Sequence, residues 1–178
     1  MAINPLSKTQ VTTRQSPEWH RIPNTSIQSK PLMTYHGAFN ATSTELKEHL
    51  EAVGEVVPQW RYSMYSQNHF HSTTQEMLGV VSGTARLCVG GEENPKRFEP
   101  TVQRGDLIIM PTRVSHQLLE DLHGDQAEFE MVGAYPHGKQ WDLCYGTPEE
   151  KVQAQRIKDV VCFRQGPFYG ADGSALYV

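Results

Sequence analysis

Positive charge is scarce in this chain. Sixteen Lys and Arg stand against twenty Asp and Glu, a formal net charge of -4 over 178 residues. A nucleic-acid partner usually requires a basic face, so this balance argues against one. Cysteine is scarcer still. Cys88, Cys144 and Cys162 are an odd number, lie far apart and form no CxxC pair, which argues against a disulfide framework or a cysteine zinc site. Free thiols fit a reducing compartment, and a cytoplasmic location is expected. The opening MAINPLSKTQVTTRQ lacks the apolar core of a secretion signal, and no apolar run reaches the ~20 residues that span a bilayer. Neither membrane nor nucleic acid is an expected partner. There is no internal repeat and no low-complexity tract. The length suits one domain with its own core.

The chain divides by texture. Residues 1–30 are rich in Ser, Thr, Gln, Asn and Pro with little periodicity, and read as an extended N-terminal arm. PLMTYHGAF, residues 31–39, could form a first strand. A helix follows, with Thr42 or Ser43 as its cap, Leu46, Leu50 and Val53 on one face and Gly54 as its stop. From about Gln59 to Tyr135, short apolar or alternating runs are broken by turn residues at roughly ten-residue intervals. That is the pattern of an all-β sandwich or barrel. A second helix is expected from Thr147, with Pro148 in its first turn, to about Val160. The division is therefore arm 1–30, β-rich body 31–145, and a C-terminal helix and tail 146–178 packed on the body.

The chemistry concentrates in NHFHSTTQEMLGVVSG, residues 68–83. On a strand, residues i and i+2 share a face, so His69 and His71 would project side by side. The next run can return antiparallel and bring Glu76 to the same interior. Further on, GDLIIMPTRVSH offers a buried strand, a stop at Pro111 and His116 at the head of the next strand, aimed back at the same place. Imidazoles and a carboxylate suit a divalent Mn, Fe, Co, Ni or Zn ion. The alternative is a set of histidines hydrogen-bonded to one another and to Glu76 without a metal.

Those two segments resemble the two metal-binding motifs of the cupin superfamily. The first, HxH with Glu five residues on and a glycine seven further, falls on His69, His71, Glu76 and Gly83. The second falls on Gly105, Pro111 and His116. The resemblance implies a single cupin jelly-roll β-barrel with one or two short flanking helices. It also implies one divalent metal held by His69, His71, Glu76 and His116, with Fe or Mn ahead of Ni, Zn or Co. Three positions depart from the pattern: Ser63 and Arg113 stand where glycine is common, and Glu120 where Asn often stands. The phrases IPN (22–24), HSTTQEMLGVVSGTARL (71–87), GDLIIMPTRVSH and VGAYPHGKQWDL (132–143) are similar to the narrower group of YjlB-like cupins.

Four protein ligands on an octahedral ion leave two positions for water, substrate or dioxygen. The expected function is a metal-dependent enzyme acting on a small oxygenated molecule. Dioxygenase chemistry is placed ahead of isomerase, cyclase, lyase or decarboxylase chemistry. The alternative is a non-catalytic ligand-binding or sensing cupin. Strand parity puts Arg61, Ser63, Tyr65 and Gln67 on the face of His69 and His71 unless a bulge intervenes. Arg61 and Gln67 are thus candidate substrate anchors, with Arg113 at the pocket mouth and Tyr135 and Trp141 beyond the last strand. Trp141 could equally plug the barrel or seal a contact between subunits. A homodimer is expected, with an edge strand or the polar arm pairing across a two-fold axis.

Overall fold

Thr42 starts the single α-helix by a reciprocal cap. Its hydroxyl accepts from the Glu45 backbone N–H, and the Glu45 carboxylate accepts from the Thr42 N–H. The helix, α1, spans Ser43–Val53 and ends at Gly54, whose φ of 74° is the left-handed value that favours glycine. Leu46 and Leu50 are fully buried on its inner face, and each contributes about 2 kcal/mol by leaving water.

The structure, a computed structural model, describes residues 1–123, 127–153, 160 and 163–173. Its strands in chain order are β1 (Ala2–Ile3), β2 (Gln10–Arg14), β3 (Leu32–His36), β4 (Phe39–Asn40), β5 (Val56–Tyr62), β6 (Glu76–Ser82), β7 (Thr84–Val89), β8 (Thr101–Gln103), β9 (Leu107–Met110), β10 (His116–Asp121) and β11 (Glu130–Pro136). A six-stranded sheet runs β2-β3-β9-β6-β11-β5, and a three-stranded sheet runs β10-β7-β8. All recorded pairings are antiparallel. This is the all-β class expected from the alternating runs. Among the described residues the two sheets share no ladder that would close them into one continuous barrel.

Alternation along the six-stranded sheet builds two cores. One face turns Met77, Ile109 and Val132 toward Leu46 and Leu50 of α1. The other turns Leu78, Ile108 and Met131 toward Leu87 and Val102 of the smaller sheet. The helix can approach because Gly79 sits under it: a Cβ there would lie 2.5 Å from Leu46 Cδ2. The N-terminal thirty residues lie on the body through ladders, β1 on β4 and β2 on β3.

Two expectations change. The run RYSMY is not one strand, because β5 ends at Tyr62 and Ser63–Asn68 leave the sheet. Of the helix expected over 147–160, Pro148–Gln153 is a 3-10 helix, and most of the rest lies outside the described residues, as does Cys162. No helix among the described residues is long and apolar enough to cross a membrane.

Candidate metal centre

His69 and His71 stand on a short extended segment rather than on a full strand. His69 bridges to His116 through N–H···O bonds of 3.2 and 2.8 Å. Phe70 bridges to Cys144 on the other side at 2.9 and 3.0 Å. The extended backbone keeps the two imidazoles on one side, as the HxH spacing requires. His116, at the head of β10, joins them, and one ligand nitrogen from each of the three lies within 4.8 Å of the others. Glu76, the first residue of β6, places Oε2 3.5 Å from Nε2 of both His71 and His116. All four side chains are buried.

Hydrogen bonds fix which nitrogens face inward. Nδ1 of His69 meets the Gln67 carbonyl, Nδ1 of His71 the Asp142 carbonyl and Nδ1 of His116 the Val114 carbonyl. A carbonyl can only accept, so each Nδ1 carries the proton. Each neutral ring then turns an Nε2 lone pair toward the centre. Glu76 adds to this. Its Oε1 accepts from the Tyr135 hydroxyl, while its Oε2 is buried without a hydrogen-bond partner. Three lone pairs and an orphaned carboxylate oxygen thus converge with no donor between them. A buried anion of this kind is costly unless paired, and a divalent cation supplies the missing charge. The donor set fits a metal, and His69, His71, His116 and Glu76 could hold it.

The titration behaviour agrees. Burial pushes the His116 imidazole down to about 3 and that of His69 below its ordinary value, helped in each case by a histidine neighbour. Burial also acts to raise Glu76, but His71, His116 and the Tyr135 hydroxyl outweigh it and hold the carboxyl at about 2. For His71, burial opposes the charge, yet Glu76 and the Asp142 contacts raise it.

Two further residues set the carboxylate. Tyr135 on β11 donates to Glu76, and its oxygen accepts from Trp60 Nε1 on β5 at 2.8 Å. The Trp60 indole crosses over its partner Gly133, where a Cβ would fall 2.0 Å from the ring. Asp142 ties the HxH loop from the other end, accepting from Ser72 N and Oγ at 2.7 and 2.5 Å. The pattern NHFH pointed to neither Trp60 nor Asp142. A tryptophan opposite a strand glycine is a signal for such close stacking, but the register that pairs Trp60 with Gly133 is set by the sheet.

Above the ligands opens a cavity of about 330 Å³ with largely aromatic walls, including Trp60, Tyr62, Tyr65, Tyr135 and Trp141. The expected anchors divide. Tyr135 is buried in the wall, and Trp141 stands half-exposed with its ring 6.2 Å from that of His71. Arg61 reaches the mouth but is not a buried cation. Its side chain is 48% exposed and paired with Glu130 through Nε and Nη2 at 3.1 and 2.5 Å. Gln67 points to a different surface recess and serves His69 only through its carbonyl. Arg113 is not at this mouth either. It is buried, with φ 68°, on the far side of Phe70. The left-handed turn it occupies is why a glycine would suit that position.

No protein-family model matches the chain. The Uncharacterized protein YjlB of Bacillus subtilis (strain 168) is 30% identical over 155 residues, covering 86% of this chain and 87% of its own. The chain belongs to the YjlB-like cupins. Among solved structures, this YjlB-like chain is similar to an acireductone dioxygenase from Bacillus anthracis with a cadmium ion in its active centre. That match is at 20% identity, TM-score 0.38, over 58% of this chain and 64% of the other. A Bacillus subtilis oxalate decarboxylase matches at 17% identity, TM-score 0.36, over 83% and 32%. An 11S globulin from Wrightia tinctoria matches at 14% identity, TM-score 0.35, over 79% and 28%. The YjlB-like chain spans less than two thirds of each of these solved chains, and scores at this level leave the family assignment on YjlB itself.

Proposed function

We propose that this YjlB-like cupin is a metal-dependent enzyme acting on a small oxygenated organic molecule, with dioxygenase-type chemistry on Fe ahead of isomerase, cyclase or decarboxylase chemistry on Mn, Zn or Ni. One observation carries the reading: the three Nε2 lone pairs and the orphaned Glu76 oxygen open directly onto a substrate-sized aromatic cavity. The volume of about 330 Å³ lies at the small end of the range for ligand pockets. When bound, a divalent ion would supply Lewis acidity and open coordination positions.

The chain's own residues divide the remaining work. The carbonyls of Gln67, Asp142 and Val114 orient the imidazoles. Tyr135 holds its proton firmly, since burial and the neighbouring Glu76 charge raise it well above the ordinary phenol value, so it serves as a donor to Glu76. Trp60, Tyr65 and Trp141 present faces that exclude water from a flat or apolar substrate body. Arg61 can meet a substrate carboxylate at the mouth by exchanging it for Glu130.

A second reading, a binding or sensing cupin without turnover, draws support from the same cavity. The titratable groups at its floor, the three histidines, Glu76 and Tyr135, are already engaged by one another or by backbone carbonyls. Oxygen-consumption assays of metal-loaded protein with diketones, phenols and hydroxy acids separate the two. Turnover that disappears in Glu76→Gln supports the enzyme. Tight ligand binding with no turnover for any loaded metal supports the binder. The proposal extends to a cytoplasmic homodimer, and light scattering that gives a monomer at micromolar concentration counts against the dimer.

A further inference from the structure

A second pocket, of about 260 Å³, lies behind Phe70. Arg21, Pro23, Ile27, Phe70 and Arg113 are among its lining residues together with the acids Glu18 and Glu150, and it shares no lining residue with the metal cavity. Its distinctive member is Arg113. This side chain is 4% exposed, its guanidinium carbon sits 5.7 Å from the centre of the Phe70 ring, and its Nε and Nη2 have no hydrogen-bond partner among the described residues. Those two nitrogens share one edge of the guanidinium and form the fork that meets both oxygens of a carboxylate. A buried cation is ordinarily paired. Here the acids nearby are committed elsewhere. Glu150 accepts from the backbone N–H groups of Tyr145, Gly146 and Thr147, and Asp142 accepts from Ser72. Glu18 accepts from the Ser26 hydroxyl at 3.5 Å, and among the described residues no ion pair joins it to Arg113. His20 and Arg21 add further donors among the lining residues.

We propose that this pocket binds a small organic carboxylate, its two oxygens on the Arg113 fork and its body against Phe70, Pro23 and Ile27. The apolar walls favour an organic body over a bare inorganic anion. The volume agrees, because at ~30 Å³ per liquid water the pocket holds far more than a lone carboxylate head. The site stands back to back with the metal centre: Arg113 N donates to the His71 carbonyl at 2.8 Å, and Phe70 lies between two candidate ligands.

Calorimetric titration of the full chain with benzoate, beside inorganic phosphate, tests it. Benzoate also suits the aromatic metal cavity, so the His69→Ala/His71→Ala variant is titrated in parallel. The expected result is saturable one-to-one benzoate binding in the parent and in the histidine variant, with phosphate weaker. Arg113→Lys keeps the charge but loses the fork, and should weaken benzoate by about tenfold. Arg21→Gln should weaken it by a smaller factor, and decides the matter if Arg113→Lys fails to fold. The proposal is overturned if benzoate does not saturate, if its binding disappears with the histidines, if phosphate binds as tightly, or if the arginine variants bind as the parent does.

Discussion

The two sides of the segment His69-Phe70-His71 are complementary in what they lack. On the cavity side, three imidazole lone pairs and a carboxylate oxygen converge, and the oxygen has no hydrogen-bond partner among the described residues. On the far side, a buried guanidinium fork has no hydrogen-bond partner among the described residues. Each is a polar group that folding has taken out of water and not satisfied from within, and such groups persist where a ligand completes them. The difference in supporting structure is instructive. The metal side is braced by bonds from Gln67, Asp142, Val114 and Tyr135, which set both tautomer and aim. The backbone of Arg113 is tied to the His71 carbonyl, but its side chain rests on a ring face, and its Nε and Nη2 have no hydrogen-bond partner among the described residues. Pre-orientation of this degree belongs to a site that must impose geometry on a metal, whereas a planar fork carries its own geometry.

The largest effect expected on the metal side comes from Glu76→Gln. It removes the negative charge and places an amide among the lone pairs, and should cost divalent-metal affinity by more than about 100-fold, beyond the 10–100-fold typical of outer partners. Competition with a chelator measures it, and an unchanged affinity would remove Glu76 from the ligand set. Tyr135→Phe frees Glu76 Oε1 and should lie within that range of about 10–100-fold. Both variants should leave benzoate binding at Arg113 intact, and joint loss would break the separation of the two sides.

Acid should act on the metal side with a definite sign. His116, at about 3, and His69, also lowered, stay neutral in the fold, while in the unfolded chain they protonate near 6.5. The unfolded state therefore binds more protons in that window, and stability falls as pH drops from 6.5 toward 3. Glu76, held at about 2, adds a loss as pH falls below its ordinary carboxyl range. His71 runs the other way. Its pKa is raised, so its contribution is present at low pH and is lost as pH rises through its folded value. A metal takes over from that proton above this point. Metal affinity should thus drop about tenfold per pH unit for each proton that re-enters, a slope read by chelator competition between pH 8 and 5. A flat profile would contradict the histidine ligands.

The smallest effect concerns the support behind Glu76. Gly133→Ala drives a methyl group into the Trp60 indole, and should destabilise the fold by about 1–3 kcal/mol in denaturant titration. It should also weaken metal binding through Tyr135 while leaving the Arg113 pocket alone. No loss in either would show that the indole has room to move.

How much of this was legible in the sequence depends on distance along the chain. The HxH spacing, Glu76 and His116 could be read because period-2 parity and one hairpin suffice to bring them together. The cap at Thr42 and Glu45 is local and equally legible. Arg61 does line the cavity, but as an exposed residue paired with Glu130 rather than a buried cation, because counting back from His69 crosses Ser63–Asn68, which leave the sheet and break the parity. Arg113 was placed at the wrong pocket because a residue at φ 68° sends its side chain where an ordinary turn would not. Trp60 and Tyr135 meet across β5 and β11, beside a register shift between Gly133 and Ala134 that no local pattern announces.

The most direct test of the metal centre is elemental mass spectrometry on untagged protein purified without chelator, beside the His69→Ala/His71→Ala variant. The geometry predicts near-stoichiometric divalent metal, Fe or Mn first, in the parent and its loss in the variant. A parent that stays as empty as the variant after reloading with each metal in turn would contradict it, and would leave the converging imidazoles as a hydrogen-bonded remnant around the protonated His71.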